Sequence, residues 1–391
     1  MSSSYLTREM EIPLQQAARH FPVIAVTGPR QSGKSTLLEH LFPRTHKITL
    51  DDISLRRAAN EDPALFLDTL RTPIFIDEIQ YAPPLLPAIK MRVDKDRRNS
   101  GQYFLSGSQI FSLMGGLSET LAGRVALFEL LPLSWNELSG SRRPNVNDMF
   151  KHIWRGFYPD PAVHDTPPPL FYASYLSTYL ERDIRQIRQV ADLSRFQLFL
   201  ELLAQRVGAL LNLQEIARDA NISLSTARQW LSLLETTRVV FLLRPYFRNL
   251  RRRLVKHPKI YFTDTGLLAH LLKYPTPALL SAGPMAGSFF ENMVVTEILK
   301  KKLNHQRTYD MFFLRDSRGT EVDILLDFGH RMLMAEIKLN KTPRPDHAKN
   351  METFQSELPG TPGIVLNLAE NEVPWSKSLR AINWNLFLRT L

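Results

Sequence analysis

A lysine and a serine that follow two glycines at fixed spacing, and two acids that close a later apolar run, are the residues best placed to do chemistry. GPRQSGKST, Gly28 to Thr36, fits the spacing G-x-x-x-x-G-K-[ST], in which a loop turns its backbone N–H groups toward phosphate oxygens. Gly28 and Gly33 allow backbone angles that a side chain forbids. The stretch Gly28, Pro29, Arg30, Gln31, Ser32, Gly33, Lys34, Ser35 and Thr36 is therefore expected to bind ATP. Lys34 is placed to reach the β and γ phosphates, and Ser35 to give its hydroxyl to Mg²⁺. In RTPIFIDEIQ an apolar run ends in Asp77 and Glu78. Asp77 suits the Mg²⁺ shell, and Glu78 is placed to orient or deprotonate an attacking water.

The flanking elements decide between this reading and a chance Gly/Ser turn. Residues 21 to 26 form a short β-branched run of the kind that makes a buried parallel strand, and a helix should follow the loop and aim its positive end at the bound anion. Ile74, Phe75 and Ile76 form a second strand, which delivers Asp77 and Glu78 at its carboxyl end, where open α/β sheets bind ligands. Residues 5 to 20 read as a leading helix, 46 to 50 as a strand ending at Asp51 and Asp52, 61 to 70 as helical, and 85 to 95 as an amphipathic helix. A strand from Tyr103 to Leu105 runs into SGSQ, which makes Ser108 or Gln109 a candidate γ-phosphate sensor, with a plain turn as the alternative. Arg124 precedes another strand-like run. It is a candidate catalytic finger reaching a neighbouring subunit's nucleotide, or else a surface arginine paired with Glu119 or Glu129.

A second set of acids lies near the carboxyl end. SFFENMVVTEILKKKL is a helix that carries Glu291 in its first turn, and MFFLR, TEVDILLD and RMLMAEIKL read as consecutive antiparallel strands. A tight turn centred on Gly329 and His330 would place Asp323 opposite Glu336. The two-residue period then puts Lys338 on the same face. Helix acid, Asp323 and Glu336-Ile-Lys338 together resemble the PD-(D/E)xK nuclease fold. The likeness implies that Glu291, Asp323, Glu336 and Lys338 hold a divalent metal and activate a water. An ordinary cross-strand salt bridge is the alternative.

LDDISLRRAANEDPALFL, IFIDEIQYAPPLLPAIK, FLSGSQIFSLMGGLSETLAGRV and LPLSWNEL resemble the bacterial and archaeal AAA+-like P-loop ATPases that carry an uncharacterised carboxyl-terminal domain. RGFYP, YLSTYLERDIR, KHPKIYFTDTGLLAHLL and GSFFENMVVTEIL are similar to the same family, so the resemblance spans nearly the whole chain. It implies ATP and Mg²⁺ as cofactors and says little about biological role.

Between the two acidic sites, residues 211 to 235 have the form of a helix-turn-helix. Leu213, Ile216 and Ala217 fit its first inner face, Asn221 the turn, and Ser223 or Ser225 the cap of a second helix that buries Ala227, Leu231 and Leu234. Arg228 and Gln229 are its base-reading candidates. Eight Lys or Arg and no acid separate Glu235 from Asp264. Arg248, Arg251, Arg252, Arg253 and Lys256 would crowd onto a wing suited to phosphate contacts. A winged helix that touches protein is the alternative.

Turn- and proline-rich stretches at 139–147 and 159–169 mark the exit from the first core, and 171 to 190 reads as a long helix with Arg182, Asp183 and Arg185 on a solvated face. The expected fold is multidomain α/β. A P-loop NTPase core of AAA+-like type with a parallel sheet occupies 1–140, a helical connector or lid 141–192, a winged helix-turn-helix 193–275, and an α/β restriction-endonuclease-like domain 276–391. At 391 residues and 44% hydrophobic content, several cores are expected. The formal charge of +10 favours a polyanionic partner, here DNA, and a finger arginine implies subunits that associate. Cysteine is absent, which excludes disulfides and cysteine-ligated zinc. Without a signal-like segment or an apolar run of spanning length, a cytoplasmic protein away from membranes is expected.

Overall fold

The computed structural model describes residues 5–108, 120–140, 145–179, 193–246 and 257–391. They fall into two compact units. The first is built on residues up to Leu133 with 236–238 and 303–306, and the second on the remainder.

The first unit is a five-stranded sheet in the order β2-β3-β4-β1-β5. Its strands are β1 (Val23–Thr27), β2 (His46–Thr49), β3 (Ile74–Asp77), β4 (Tyr103–Gly107) and β5 (Val125–Glu129). Every pairing is parallel. All five residues of β1 and all four of β3 are buried, as expected for central parallel strands covered on both faces. Because β4 lies between β1 and β3, the loop after β1 and the acids after β3 flank the end of β4. The helix Leu85–Lys95 has the span read from the sequence, whereas the leading helix is shorter, Glu11–Ala18. A helix that the sequence pattern does not signal spans Ile53–Glu61. Asp52 is its N-cap and accepts from Ser54 N and Leu55 N, so this acid starts a helix rather than only ending a strand.

The second unit holds an eight-stranded sheet in the order β12-β13-β11-β10-β9-β8-β6-β7. Its strands are β6 (Val240–Pro245), β7 (Lys259–Phe262), β8 (Asp310–Arg315), β9 (Glu321–Asp327), β10 (Met332–Ile337), β11 (Gly363–Asn367), β12 (Val373–Pro374) and β13 (Leu379–Asn383). The segment expected to be a helix-turn-helix holds two helices, Leu213–Asp219 and Leu224–Thr236. Asn221 takes the left-handed φ of 52°, and Ser223 Oγ accepts from Thr226 N at 3.0 Å. Ala227 and Leu234 are fully buried, while Arg228 and Gln229 are exposed.

The antiparallel hairpin β6–β7 follows this pair of helices, and β6 also pairs in parallel with β8 through Arg244–Phe312 and Pro245–Phe313. The strands read as a wing and those of the terminal domain therefore make one continuous sheet. The long helix begins at Pro168 and is described to Tyr179. Arg182, Asp183 and Arg185 lie outside the described residues, as do Gln109, Glu119, Arg248, Arg251, Arg252, Arg253 and Lys256.

Candidate active site

The phosphate loop joins β1 to the helix Lys34–Leu41, with the helix N-terminus at the loop's end. Its backbone is bent as a phosphate cradle requires, with positive φ at Gly28 (141°), Gln31 (59°) and Gly33 (92°). Gly28 is irreplaceable on steric grounds, since a Cβ there would stand 2.1 Å from the carbonyl oxygen of Leu130. Lys34 is buried and donates to the carbonyls of Gly28 at 3.0 Å and Pro29 at 2.7 Å. Its ammonium therefore folds over the loop it is expected to serve. Ser32 is buried and its hydroxyl has no partner, which leaves a donor inside the cradle.

Asp77, the last residue of β3, meets the helix that follows this loop. Ser35 Oγ donates to Asp77 Oδ1 at 3.0 Å, and Ser106 Oγ, at the end of β4, donates to the same oxygen. Lys47 on β2 bonds Glu39, and its Nζ stands 3.8 Å from Asp77 Oδ2. Glu78 has a left-handed φ of 57°, a conformation that non-glycine residues seldom adopt and that recurs at functional sites. Its Oε2 accepts from Gln80 Nε2 and, at 3.4 Å, from Ser108 Oγ. Ser35, Asp77, Glu78 and Ser108 thus converge at the ends of adjacent elements. The oxygen donors Ser35 and Asp77 suit Mg²⁺, which is commonly held by one or two carboxylates together with phosphate oxygens.

Arg124 pairs with an acid on the helix Leu85–Lys95. It grips Asp94 at 2.5 Å through Nε and at 3.1 Å through Nη2, and it donates to the carbonyl of Ala122. That hydrogen bond holds the Asp94 carboxyl below its ordinary range. Of its two expected partners, Glu129 pairs instead with Arg238, and Glu119 lies outside the described residues.

The residues of the carboxyl-terminal constellation also come together. The register of β9 and β10 runs from Met332–Asp327 to Ala335–Ile324. Phe328 N donates to Arg331 O, and Gly329 has a φ of 82°, so the turn is the one expected and the next pair is Asp323 with Glu336. Asp323 Oδ2 accepts from Ile337 N at 2.9 Å, and Lys338 Nζ reaches Glu336 Oε1 at 2.7 Å. Glu291 joins them from the helix Ala286–Asn304, which starts two residues before the expected segment and so puts this acid in its second turn. Burial and the Asp323 charge push Glu291 up to about 7 and Glu336 up to about 8, against the pull of nearby lysines. At the centre is Lys259, which burial would discharge but which Tyr261, Glu291, Asp323 and Glu321 hold well above its ordinary value.

Several of these residues escaped the sequence reading. Arg8 is buried and donates to the carbonyls of Ser32 at 2.8 Å and Leu131 at 2.9 Å, so it supports the phosphate loop from behind. No motif marks it. Gln80 lies two positions beyond Glu78, and that proximity is its only sequence signal. Lys259 carries a signal, but a misleading one: it belongs to the basic run read as a wing.

Residues 20–139 match a family model described as an AAA domain, and 146–278 and 286–387 match two domains of unknown function, DUF8612 and DUF4143. Uncharacterized proteins of Mycobacterium bovis and Mycobacterium tuberculosis are each 29% identical over 389 residues, covering 98% of this chain and 85% of theirs. The Walker-type ATPase of Pyrococcus abyssi is similar at a TM-score of 0.45 and 13% identity, over 67% of this chain and 94% of that one. A RuvB variant of Thermotoga maritima is similar at a TM-score of 0.32 and 15% identity, over 60% and 88%. Among the described residues no helix is long and apolar enough to cross a membrane. The AAA match and the loop geometry together support a P-loop ATPase domain at residues 20–139.

Proposed function

We propose that the chain binds ATP in the Gly28–Thr36 loop and hydrolyses it with Glu78 as the residue that orients and deprotonates the attacking water. The observation that carries the reading is the convergence of Ser35 on Asp77 at 3.0 Å, beside a glutamate held at a positive φ. Lys34 exchanges the carbonyls of Gly28 and Pro29 for phosphate oxygens, and the loop N–H groups spread the charge that develops on the transferred phosphoryl. Ser35 and Asp77 would hold Mg²⁺, which supplies neutralisation of phosphate charge. Gln80 and Ser108 fix the Glu78 carboxylate. Turnover of labelled ATP by wild type, Lys34→Ala and Glu78→Gln tests this reading. It fails if the wild type does not retain ATP or if the Lys34 variant turns it over equally fast.

DNA is the polyanion that best suits the rest of the chain. Support comes from the helix-turn-helix with Arg228 and Gln229 exposed, and from the formal charge of +10. ATPase rates measured with and without linear and branched DNA, across a salt series, test this part. Stimulation that fades with salt supports it, and rates indifferent to every DNA argue for a nucleotide switch that acts on protein partners.

A further inference from the structure

Glu291, Asp323 and Glu336 are the ligand set that the likeness to PD-(D/E)xK nucleases implies for a divalent cation, yet a cation of the chain's own stands among them. Lys259 Nζ lies 3.3 Å from Glu291 Oε1, 3.3 Å from Asp323 Oδ1 and 2.5 Å from Glu321 Oε1, with 2% of its side chain exposed. A divalent metal needs carboxylate oxygens at about 2.0–2.6 Å. Here those oxygens are directed at an ammonium. A second cation placed among the same oxygens would meet the first at close range, where buried charges are poorly screened.

The Lys259 ammonium is also enclosed. Lys259 is hemmed in by the Phe313 ring, its Nζ 5.8 Å from the ring centre, and Tyr261 Oη donates to Glu291 Oε1 at 2.7 Å. Gly208 packs so tightly on Glu291 that a Cβ there would stand 3.3 Å from Oε1. Glu336 gives Oε1 to Lys338, and its Oε2 is buried without a partner. Glu321 is shared with Arg315 at 2.6 Å, so the outer acid is neutralised as well. Among the described residues no group of three or more His, Asp or Glu could hold a metal. The residues present do not fit the ion that the likeness implies.

We propose that Lys259 is the resident cation of this pocket and stands where a nuclease-like fold would carry its metal. The terminal strands then form a metal-independent module, not a centre for phosphodiester cleavage. This inference does not rest on ATP hydrolysis, and its test needs no nucleotide.

The experiment measures Mn²⁺ binding to the nucleotide-free full chain in wild type, Asp323→Asn, Lys259→Met, Lys259→Arg and the Lys259→Met/Asp323→Asn double variant. Wild type and Asp323→Asn should bind Mn²⁺ alike. Lys259→Met should gain a site at least tenfold tighter, which is absent from Lys259→Arg and lost again in the double variant. Mn²⁺ binding by wild type that disappears in Asp323→Asn overturns the proposal. So does Mn²⁺-dependent DNA cleavage by wild type with the same sensitivity, or a folded Lys259→Met that gains no site. If Lys259→Met does not fold, the comparison of wild type with Asp323→Asn still decides.

Discussion

The Ser35 hydroxyl donates to Asp77 Oδ1 at 3.0 Å although 42 positions separate the two residues. The bond joins the first turn of the phosphate-loop helix to the end of β3, two strands away from β1 in the sheet. Both atoms are hard oxygen donors, and each has capacity left for an ion. Replacing Ser35 with alanine should therefore weaken ATP binding about tenfold to a hundredfold when Mg²⁺ is present, the scale of one lost charge-assisted contact. With the metal chelated, the two proteins should bind nucleotide alike. An equal loss with and without Mg²⁺ would show that the hydroxyl serves the loop's shape and not the ion.

Glu78 offers a separate test because the role proposed for it concerns the proton and not the phosphate. Glu78→Gln keeps the size of the side chain and its contact with Gln80, but removes the base. Turnover should fall by about 100-fold or more while ATP binding is retained, as expected when general-base catalysis is lost. Binding measured by filter retention, beside a steady-state rate, separates the two effects. A variant that hydrolyses ATP at the wild-type rate would remove Glu78 from the chemistry.

Arg8 lies outside the phosphate-loop motif, yet it holds Ser32 O within the loop and Leu131 O. Arg8→Met keeps much of the apolar stem and deletes both donors. Each lost bond from a charged donor is worth about 1.5–3 kcal/mol in a buried setting, so the first unit should melt earlier. The loop should also grip nucleotide less well, with KM for ATP rising and kcat little changed. A drop in kcat at constant KM would instead place Arg8 in transition-state stabilisation.

The phosphate site was legible in the sequence because its residues are consecutive and obey a spacing set by backbone geometry. The β9–β10 register was legible too, since a two-residue turn with glycine first fixes which side chains face each other, and the structure brings Asp323 and Glu336 together as that rule requires. Contacts between distant elements were hidden. Arg8 meets Leu131 across 123 positions, and Lys259 meets Asp323 across 64. Hydrophobic period reveals which face of a strand is buried, but it gives no sign of which strand comes next in the sheet. In sequence, Lys259 accordingly belongs to the basic run expected to form a wing. Arg124 shows the same gap, because Glu119 and Glu129 are the acids near it in sequence, whereas its partner Asp94 lies 30 positions away on a helix.

Glu336 makes the buried cluster sensitive to alkali. Its carboxyl is pushed up to about 8 by burial and by the Asp323 charge, against an ordinary value near 4.5. A folded-state pKa above the unfolded one means that the native chain holds the proton more tightly. The resulting stabilisation is complete below the unfolded value and disappears as pH rises through about 8. Glu291, pushed to about 7, acts in the same direction over an overlapping range. Glu336→Gln places a neutral group of the same shape in the pocket and should weaken the dependence without abolishing it. Chemical denaturation of both proteins from pH 5 to pH 9 should show the variant gaining on the wild type as pH rises. Parallel curves across that range would mean that Glu336 is already ionised in the folded state, with Lys338 and Lys259 sufficient to hold its charge.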